Sequence, residues 1–460
     1  MTIKKIINMN SEELKNSLIS NSITVCVIGI GRIGLPTALS FANSGLNTIG
    51  LDINVELIKN INSGIYPLKD EPEYDVIFDK VLNEKKFSVT TNVTESVTKS
   101  DVILLSLPTP MDINNVPDYS ALRSVAKQLS EYLQEGSLVI VESTIEPGFV
   151  ENELIPLIEG TQNRLKVEKD FAIGVCPETA NPGEIMVDFT KLPRLVAGIN
   201  KNITNLIYEI YHYVFPVELI RMPNCKTANA VKLTTNVFRD VNIAFVNELS
   251  LLFEKLGIDT MTVLKAAQSK YNFQVHYPGA GVGGPCLPVN SYQILNSAKN
   301  IGIDSLKMIK SSREINEGMP QHVIELLQDC FRESNLSING STILILGISY
   351  KPNVKDIQLS PAEHIVQKLI SLGVNVKIID PYFSEEKIYG IQIENNLDGA
   401  LSKSDAALII TAHKEFLNLE PSIFSSKLKN KILVDSRGII DPKIAKETGL
   451  IFRGLGRGHS

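Results

Sequence analysis

The segment of the chain with the most unusual composition surrounds Cys286. The eleven residues from Pro278 to Pro288 include four glycines, three prolines and this one cysteine, a composition that predicts a loop rather than a helix or a strand. The bare backbone of such a loop, at Gly283 for example, can approach a ligand closely. A thiol becomes a nucleophile where it is partly exposed in electropositive surroundings. Cys286 is therefore a candidate nucleophile, and a thiol that merely packs is the open alternative.

A long helix is predicted over residues 224–256, which contain neither proline nor glycine. Residues spaced by three or four share one face of a helix, and one such row is unusually polar. The row consists of Lys232, Asn236, Arg239, Ile243 and Asn247. It is interpreted as the lining of a cleft, with a solvated face as the alternative. Another face of the helix is apolar and includes Phe238 and Phe245. A helix of this length that joins two domains is also a candidate dimer surface.

A glycine-rich turn near the N terminus has the spacing of a dinucleotide-binding site. It follows an apolar run, residues 23–28, that predicts a buried strand, and it precedes a segment with helical spacing. The residues of the turn are Gly29, Gly31, Arg32, Ile33 and Gly34. The three glycines would permit a tight turn, close approach of the pyrophosphate and close packing of helix on strand. A glycine-rich turn with no ligand is the alternative.

Asp52 indicates which dinucleotide this turn would bind. It ends the next predicted strand, 18 residues beyond Gly34, where a carboxylate accepts hydrogen bonds from the ribose and repels a 2′-phosphate. NAD is therefore favoured over NADP, although the guanidinium of Arg32 could reach a phosphate. Thr109 and Thr144 follow two further predicted strands and are candidates to contact the nicotinamide half, or else ordinary turn residues.

The C-terminal part of the chain repeats this layout of strand, helix, strand and acid. A buried strand over residues 342–347 precedes Lys351, a helix follows from Ser360, and a second strand ends at Asp380. The glycine triplet is missing, so a phosphate would depend on side chains such as that of Lys351. A structural duplicate without a ligand is the alternative.

Composition excludes several classes of protein. With 460 residues, two or three domains are expected. A net charge of −6 argues against a nucleic-acid-binding protein. No apolar run is long enough to cross a bilayer, and no signal peptide is recognised. The five cysteines are scattered without a Cys-x-x-Cys pair, so we expect no disulfide framework, no metal site and a cytoplasmic location.

Taken together, the motifs resemble those of the UDP-glucose/GDP-mannose dehydrogenase family. The resemblance extends from about Ile23 to Gly454 and includes Gly-Ile-Gly-Arg-Ile-Gly-Leu-Pro, the helix with Lys232 and Asn236, Gly-Val-Gly-Gly-Pro-Cys and Ser-Tyr-Lys-Pro. Within the family, the segments that begin at Cys176 and Phe238 look most like those of UDP-N-acetyl-D-mannosamine dehydrogenases.

The resemblance implies an α/β fold in which a central helical domain joins two Rossmann-like doubly wound parallel sheets. The expected parts are an N-terminal extension over residues 1–20, an NAD-binding domain over 21–215, a central domain with the catalytic loop and dimer helix over 216–320, and a UDP-sugar-binding domain over 321–460. A homodimer or higher homo-oligomer is expected.

The resemblance also implies a reaction, in which two NAD⁺ oxidise the C6 alcohol of a nucleotide sugar to a carboxylate. Cys286 would capture the intermediate aldehyde as a thiohemiacetal and then as a thioester. Lys232 and Asn236 would contact the C6 oxygen, and Glu178 would activate the water that hydrolyses the thioester. The substrate would be bound by Lys232, Asn236, Arg239, Gly283, Tyr350, Lys351 and Arg437.

Several residues depart from the family pattern, so the identity of the sugar is open. Asn290 stands where the family has an aspartate four residues after the cysteine, and an amide cannot act as a base. Further replacements are Thr179, Lys270, Asn272, Pro285 and Gln358. UDP-N-acetyl-D-mannosamine, oxidised to UDP-N-acetyl-D-mannosaminuronate, is the expected substrate, with UDP-glucose or UDP-N-acetylglucosamine as alternatives. More remote alternatives are a two-electron β-hydroxyacid dehydrogenase and a non-catalytic NAD sensor.

Overall fold

The structure is a computed structural model that describes residues 5–68, 71, 73–160, 164–181, 183–384 and 386–458. These residues form two compact units. The first contains the chain up to Thr235 together with Tyr292–Ile301, and the second contains Asn236–Ser291 and the chain from Gly302 onward. Residues 1–4 of the expected N-terminal extension, and Pro182 in the motif after Glu178, lie outside the described residues.

A single eight-stranded sheet organises the first unit. Its strands are β1 (Thr24–Ile28), β2 (Asn47–Leu51), β3 (Phe87–Thr90), β4 (Val102–Leu105), β5 (Leu138–Val141), β6 (Ala172–Val175), β7 (Arg194–Gly198) and β8 (Leu219–Arg221). Their order in space is β3-β2-β1-β4-β5-β6-β7-β8. Strands β1 to β6 are parallel, whereas β7 is antiparallel to β6 and parallel to β8. A reversed pair at the edge is a common variation of otherwise parallel sheets.

Helices cover both faces of this sheet because successive side chains in its strands point in opposite directions. Val25 and Val27 belong to one apolar core, and Cys26 and Ile28 to the other. A 3₁₀ turn over Ile6–Asn8 precedes the helices, and a π-helical turn over Val150–Leu154 leads into the seventh. The helices are α1 (Ser11–Ile19), α2 (Gly34–Asn43), α3 (Val55–Asn62), α4 (Tyr74–Asn83), α5 (Val93–Thr98), α6 (Ser120–Tyr132), α7 (Ile155–Glu159), α8 (Ile185–Lys191) and α9 (Lys201–Val214).

The middle of the chain is helical. Its helices are α10 (Cys225–Leu256), α11 (Thr260–Ala267), α12 (Leu287–Asn300) and α13 (Lys307–Glu333). The bounds of α10 agree within one residue with the predicted helix, which is uninterrupted because neither glycine nor proline breaks it. Among the described residues, no helix is both long and apolar enough to span a membrane.

The second unit contains a five-stranded parallel sheet in the order β10-β9-β13-β14-β15, whose ranges follow. The elements are β9 (Thr342–Leu346), α14 (Pro361–Ser371), β10 (Asn375–Ile379), the hairpin β11 (Lys387–Ile388) and β12 (Ile391–Gln392), α15 (Leu397–Ser402), β13 (Ala406–Ile409), α16 (Pro421–Lys427), β14 (Ile432–Asp435), α17 (Pro442–Glu447) and β15 (Ile451–Gly454). Ile343 and Leu344 again face opposite apolar cores.

The two sheets share the hydrogen bonds expected of a repeat. The amide of Ile30 donates to Oδ2 of Asp52 at 3.0 Å, and the amide of Ile348 donates to Oδ2 of Asp380 at 2.8 Å. Each bond fixes the turn after the first strand against the acid after the second. An equivalent pair of bonds anchors the start of each first strand, Thr24 N to Asp101 Oδ2 and Thr342 N to Asp405 Oδ2. The predicted class, two Rossmann-like sheets with a helical region between them in the chain, is confirmed.

The loop predicted to end at Pro288 is shorter than expected, because α12 begins at Leu287. Proline is tolerated in the first turn of a helix, where the backbone N–H groups have no intrahelical acceptor. Cys286 is consequently the residue immediately before a helix.

Candidate active site

The glycine-rich turn between β1 and α2 is shaped by contacts that leave no room for side chains. Gly29 has a φ of +88°, and a Cβ there would lie 2.5 Å from the carbonyl oxygen of Ser106. A Cβ on Gly34 would overlap the backbone of Gly29, whereas one on Gly31 would meet no atom of the described residues within 4 Å. The backbone at Gly31 is thus open to a ligand. The N-cap residue of α2, Ile33, has an apolar side chain that makes no capping hydrogen bond, so the first N–H groups of the helix suit a phosphate.

Asp52 and Arg32 flank this turn. Besides the bond from Ile30, Oδ1 of Asp52 accepts from the amide of Asn54 at 2.9 Å, so the carboxylate is fixed at the end of β2. Nη1 of Arg32 lies 3.3 Å from Oε1 of Glu71, a side chain only 2% exposed. Arg32, whose charge could have favoured a 2′-phosphate, thus forms an ion pair with Glu71. The residues fit NAD, which agrees with the expectation drawn from Asp52.

Thr109 and Thr144 lie together, after the neighbouring strands β4 and β5. The hydroxyl of Thr109 donates to the carbonyl of Thr144 at 3.0 Å, and Nε2 of Gln293 donates to the same oxygen at 3.1 Å. The adjacent carboxylate of Glu146 accepts from Tyr119 and Asn296 at 3.1 and 2.8 Å. These bonds fix the loop after β5 to α12.

Glu178 follows β6, and its carboxylate accepts from the amide of Ala180 at 2.7 Å. Its own amide donates to the carbonyl of Glu142 at 3.2 Å. Burial raises the pKa of Glu142 to about 7, although the charge of Arg194 and a 2.7 Å hydrogen bond from the Tyr211 hydroxyl counteract it. A buried acid is thus joined through its backbone to Glu178, the glutamate that was singled out from the sequence. Glu142 was not among the predicted site residues, although it stands at a predicted strand end.

Cys286 differs from the other four cysteines in its exposure. Cys26, Cys176, Cys225 and Cys330 are buried, and burial raises the pKa of each thiol to about 12. Cys286 is exposed, and its carbonyl accepts the first bond of α12, from the amide of Asn290 at 2.9 Å. It therefore occupies the N-cap position, where the partial positive charge of a helix stabilises a thiolate.

The predicted polar row of α10 is divided between two faces. Lys232, Asn236 and Asn247 are buried, but Arg239 is exposed beside Phe238. Asp240, four residues after Asn236, takes the buried position because four residues turn a helix through about 400°, close to one full turn. Nδ2 of Asn236 donates to Oδ1 of Asn290 at 2.5 Å, which places the amide near the start of α12.

A buried hydrogen-bond network within the second unit centres on Asp240, which is fully buried. The hydroxyl of Ser291 donates to its Oδ2 at 2.7 Å, and Nη1 of Arg313 donates to its Oδ1 at 2.8 Å. Asn316 also donates to Asp240 and accepts from Asn247, whose Oδ1 receives the amide of Gly279 at 3.0 Å. Since Gly279 and Ser291 flank Cys286 in the chain, the network holds both ends of the cysteine loop.

The same loop packs against residues in the segments that follow β9 and β14 of the second sheet. A Cβ on Gly284, which has a φ of +88°, would lie 2.6 Å from the ring of Tyr350. A Cβ on Gly279 would overlap the guanidinium of Arg437, and one on Gly283 would overlap the backbone of Leu359. The glycines thus allow the loop to approach Tyr350 and Arg437 closely.

A small pocket opens at this contact, within the second unit, and its lining includes Gly281, Tyr350, Thr411 and Arg437. Burial lowers the pKa of the Arg437 guanidinium, with Asp435 acting in the opposite direction. A partly desolvated cation of this kind is stabilised by an anion such as a phosphate. Lys351 is half-buried and next to Tyr350 in the chain. No group of three or more potential metal ligands occurs among the described residues.

The fold and these sites define a class of protein, the NAD-dependent dehydrogenases with a second Rossmann-like domain. Comparison with known families narrows it. Three models of the UDP-glucose/GDP-mannose dehydrogenase family match, namely the NAD binding domain over residues 23–215, the central domain over 226–318 and the UDP binding domain over 344–442. The chain belongs to this family and is an NAD-dependent nucleotide-sugar dehydrogenase.

Individual relatives are similar over nearly their whole length. A UDP-N-acetyl-D-mannosamine dehydrogenase of Pyrococcus horikoshii is 35% identical, over 94% of this chain and 99% of its own. Its solved structure has a TM-score of 0.88 and 34% identity, over 95% of this chain and 100% of that one. A UDP-N-acetyl-D-glucosamine 6-dehydrogenase of Pseudomonas aeruginosa is 31% identical, over 86% of this chain and 92% of its own.

Proposed function

We propose that this enzyme oxidises the C6 alcohol of UDP-N-acetyl-D-mannosamine to a carboxylate, consuming two NAD⁺ and one water. The observation that carries the proposal is the exposed thiol of Cys286 at the N-cap of α12, in a loop that packs against Tyr350 and Arg437. The relative from Pyrococcus horikoshii supports the choice of sugar. The relative from Pseudomonas aeruginosa makes UDP-N-acetylglucosamine the second candidate.

In this proposal the nucleotide part of the substrate binds in the second unit. The guanidinium of Arg437 and the ammonium of Lys351 would neutralise the diphosphate. The ring of Tyr350 would contact the nucleoside, and the backbone at Gly283 would allow close approach of the sugar. Arg239, on the exposed face of α10, remains a further candidate for substrate binding.

NAD, when bound, supplies the hydride acceptor for both oxidations. The chain supplies the other steps. Lys232 and Asn236, one turn apart on α10, would stabilise the negative charge that develops on the C6 oxygen. The Cys286 thiolate would add to the aldehyde carbon, and loss of a second hydride would leave a thioester. Glu178 would take a proton from the attacking water, so that hydrolysis releases the carboxylate and restores the thiol.

The stoichiometry of NADH tests this proposal. We expect two NADH for each UDP-N-acetyl-D-mannosamine consumed, with slower turnover of UDP-N-acetylglucosamine, UDP-glucose and GDP-mannose. A yield of one NADH would indicate a simple two-electron dehydrogenase, and no NADH from any sugar would indicate a non-catalytic NAD-binding protein. Cys286→Ser should form no carboxylate while binding NAD normally, and Cys330→Ser, which changes a buried thiol, should retain activity.

We also propose a cytoplasmic homodimer. Phe238, Phe245 and Leu252 recur every seven residues along α10 and are 48%, 49% and 51% exposed, a spacing typical of a helix that pairs with another copy. Phe245→Glu would place a charge in this stripe. Sedimentation should then show a monomer, whereas a wild-type protein that is already monomeric would refute the dimer. Cell fractionation tests the location.

A further inference from the structure

We propose that His413 is a positioning residue for nucleotide binding, and that together with Asp380 it holds residues 349–354 in the conformation that binds the substrate. The inference rests on the proposed function, because this segment carries Tyr350 and Lys351. His413 lies outside every motif that the sequence analysis identified.

Asp380 has a different environment from its counterpart in the first sheet. Asp52 is half-buried at the end of β2, as a ligand of a ribose would be, whereas Asp380 is only 2% exposed. In addition to the bond from Ile348, its Oδ2 accepts from the amide of Ser349 at 3.3 Å, and its Oδ1 accepts from the amide of Tyr382 at 2.9 Å. In the second sheet the acid of the repeat is therefore an anchor for the backbone after β9 rather than an exposed acceptor.

His413 joins this acid to the far end of the segment. Its Nδ1 accepts from the amide of Asn353 at 3.0 Å, so Nδ1 carries no proton, and Nε2 donates to Oδ2 of Asp380 at 3.1 Å. The imidazole is fully buried, and the rings of Tyr382 and Phe416 lie 5.0 and 5.7 Å from it. A ring held in this way has one orientation, which fixes the position of Asn353.

Further bonds close the segment on itself. The hydroxyl of Ser349 donates to the carbonyl of Val354 at 2.7 Å, and the hydroxyl of Thr411 donates to the carbonyl of Ser349 at 2.6 Å. Asn353 has a φ of +63°, in the left-handed region, and its Oδ1 accepts from the amide of Lys414 at 2.9 Å. Thr411 also lines the pocket next to Tyr350 and Arg437. A segment ordered before binding saves the entropy that a ligand would otherwise spend in ordering it.

Amide hydrogen exchange and UDP binding test the inference in the full-length enzyme. We expect slow exchange of the Asn353 amide in the wild type without ligand. His413→Ala should speed that exchange and weaken UDP binding about tenfold, as loss of one buried hydrogen-bonding partner does. His413→Gln keeps one acceptor and one donor and should recover part of both effects. His364→Ala, at an exposed position on α14, is the matched control and should change neither.

Lys351→Ala separates this inference from the proposed function. If Lys351→Ala binds UDP as well as the wild type does, the nucleotide-binding role of the segment is wrong. If Lys351→Ala binds UDP weakly but His413→Ala binds it normally, only the positioning role is overturned. Rapid exchange of the Asn353 amide in the unliganded wild type would also overturn it, and that measurement needs no variant that folds.

Discussion

Asn236 donates a hydrogen bond to Oδ1 of Asn290, with 2.5 Å between the two atoms. Both side chains are buried, and Asn290 lies on α12 one turn beyond Cys286. The residue that departs from the family pattern is therefore a hydrogen-bond acceptor, a role that an aspartate could also fill. Accepting a hydrogen bond from Asn236 does not require a base, so the amide of Asn290 can fill this role at a position where the family has an aspartate.

Asn290→Asp keeps the acceptor, whereas Asn290→Ala removes it and leaves the Asn236 amide without this partner. We expect the alanine variant to lose about 1–3 kcal/mol of stability and tenfold or more in kcat. The aspartate variant should stay within about threefold of the wild type in kcat. Thermal melts and steady-state rates measure both variants. Equal loss in the two variants would show that the acceptor is unimportant.

Thiol reactivity should single out Cys286. Because burial raises the pKa of the other four thiols to about 12, they stay protonated and inaccessible in the folded protein. One equivalent of iodoacetamide at neutral pH should therefore label Cys286 and stop NADH formation, as peptide mass spectrometry can verify. Native Cys286→Ser should incorporate almost no label, and unfolding the wild type should expose all five cysteines. Preferential labelling of any other cysteine would contradict this prediction.

Asp240→Ala should be strongly destabilising, because it removes the buried carboxylate that accepts from Ser291 and Arg313 and leaves the Arg313 guanidinium with only the more exposed carboxylate of Glu317. Loss of one partner of a buried ion pair costs about 3–5 kcal/mol. Urea unfolding measures the loss, and a double variant, Asp240→Ala with Arg313→Leu, should recover part of it. An effect of the double variant equal to the sum of the single effects would show that the two residues are not coupled.

Short sequence motifs predicted those parts of the site that are built from residues close together in the chain. The turn from Gly29 to Gly34 was recognisable because its spacing is itself the binding feature. Arg239 is exposed although the predicted row groups it with the buried Asn236. Spacings of three and four both fit a helical row, and only packing shows that Asp240 occupies the buried side. The N-cap position of Cys286 was missed because Pro288 was interpreted as part of the loop.

Networks between distant residues could not be found in this way. Ser291 lies 51 residues from Asp240 in the chain, and His413 lies 33 residues from Asp380 and 60 from Asn353. A single sequence contains no signal that pairs such residues. They become neighbours only when parallel strands and packed helices bring their side chains into one core.

Glu142 should make the stability of the enzyme depend on pH in an unusual direction. Burial raises the pKa of this carboxyl from 4.5 to about 7 on folding. Between these values the folded state keeps a proton that the unfolded state has lost, so stability falls as pH rises, by about 3 kcal/mol in total.

Glu142→Gln retains an acceptor for the Tyr211 hydroxyl but cannot ionise. Its free energy of unfolding, relative to the wild type, should therefore rise by about this amount between pH 4.5 and 7.5, while Glu131→Gln, at an exposed position on α6, should show no such trend. A constant difference between Glu142→Gln and the wild type across this range would mean that Glu142 is ionised in the folded enzyme throughout.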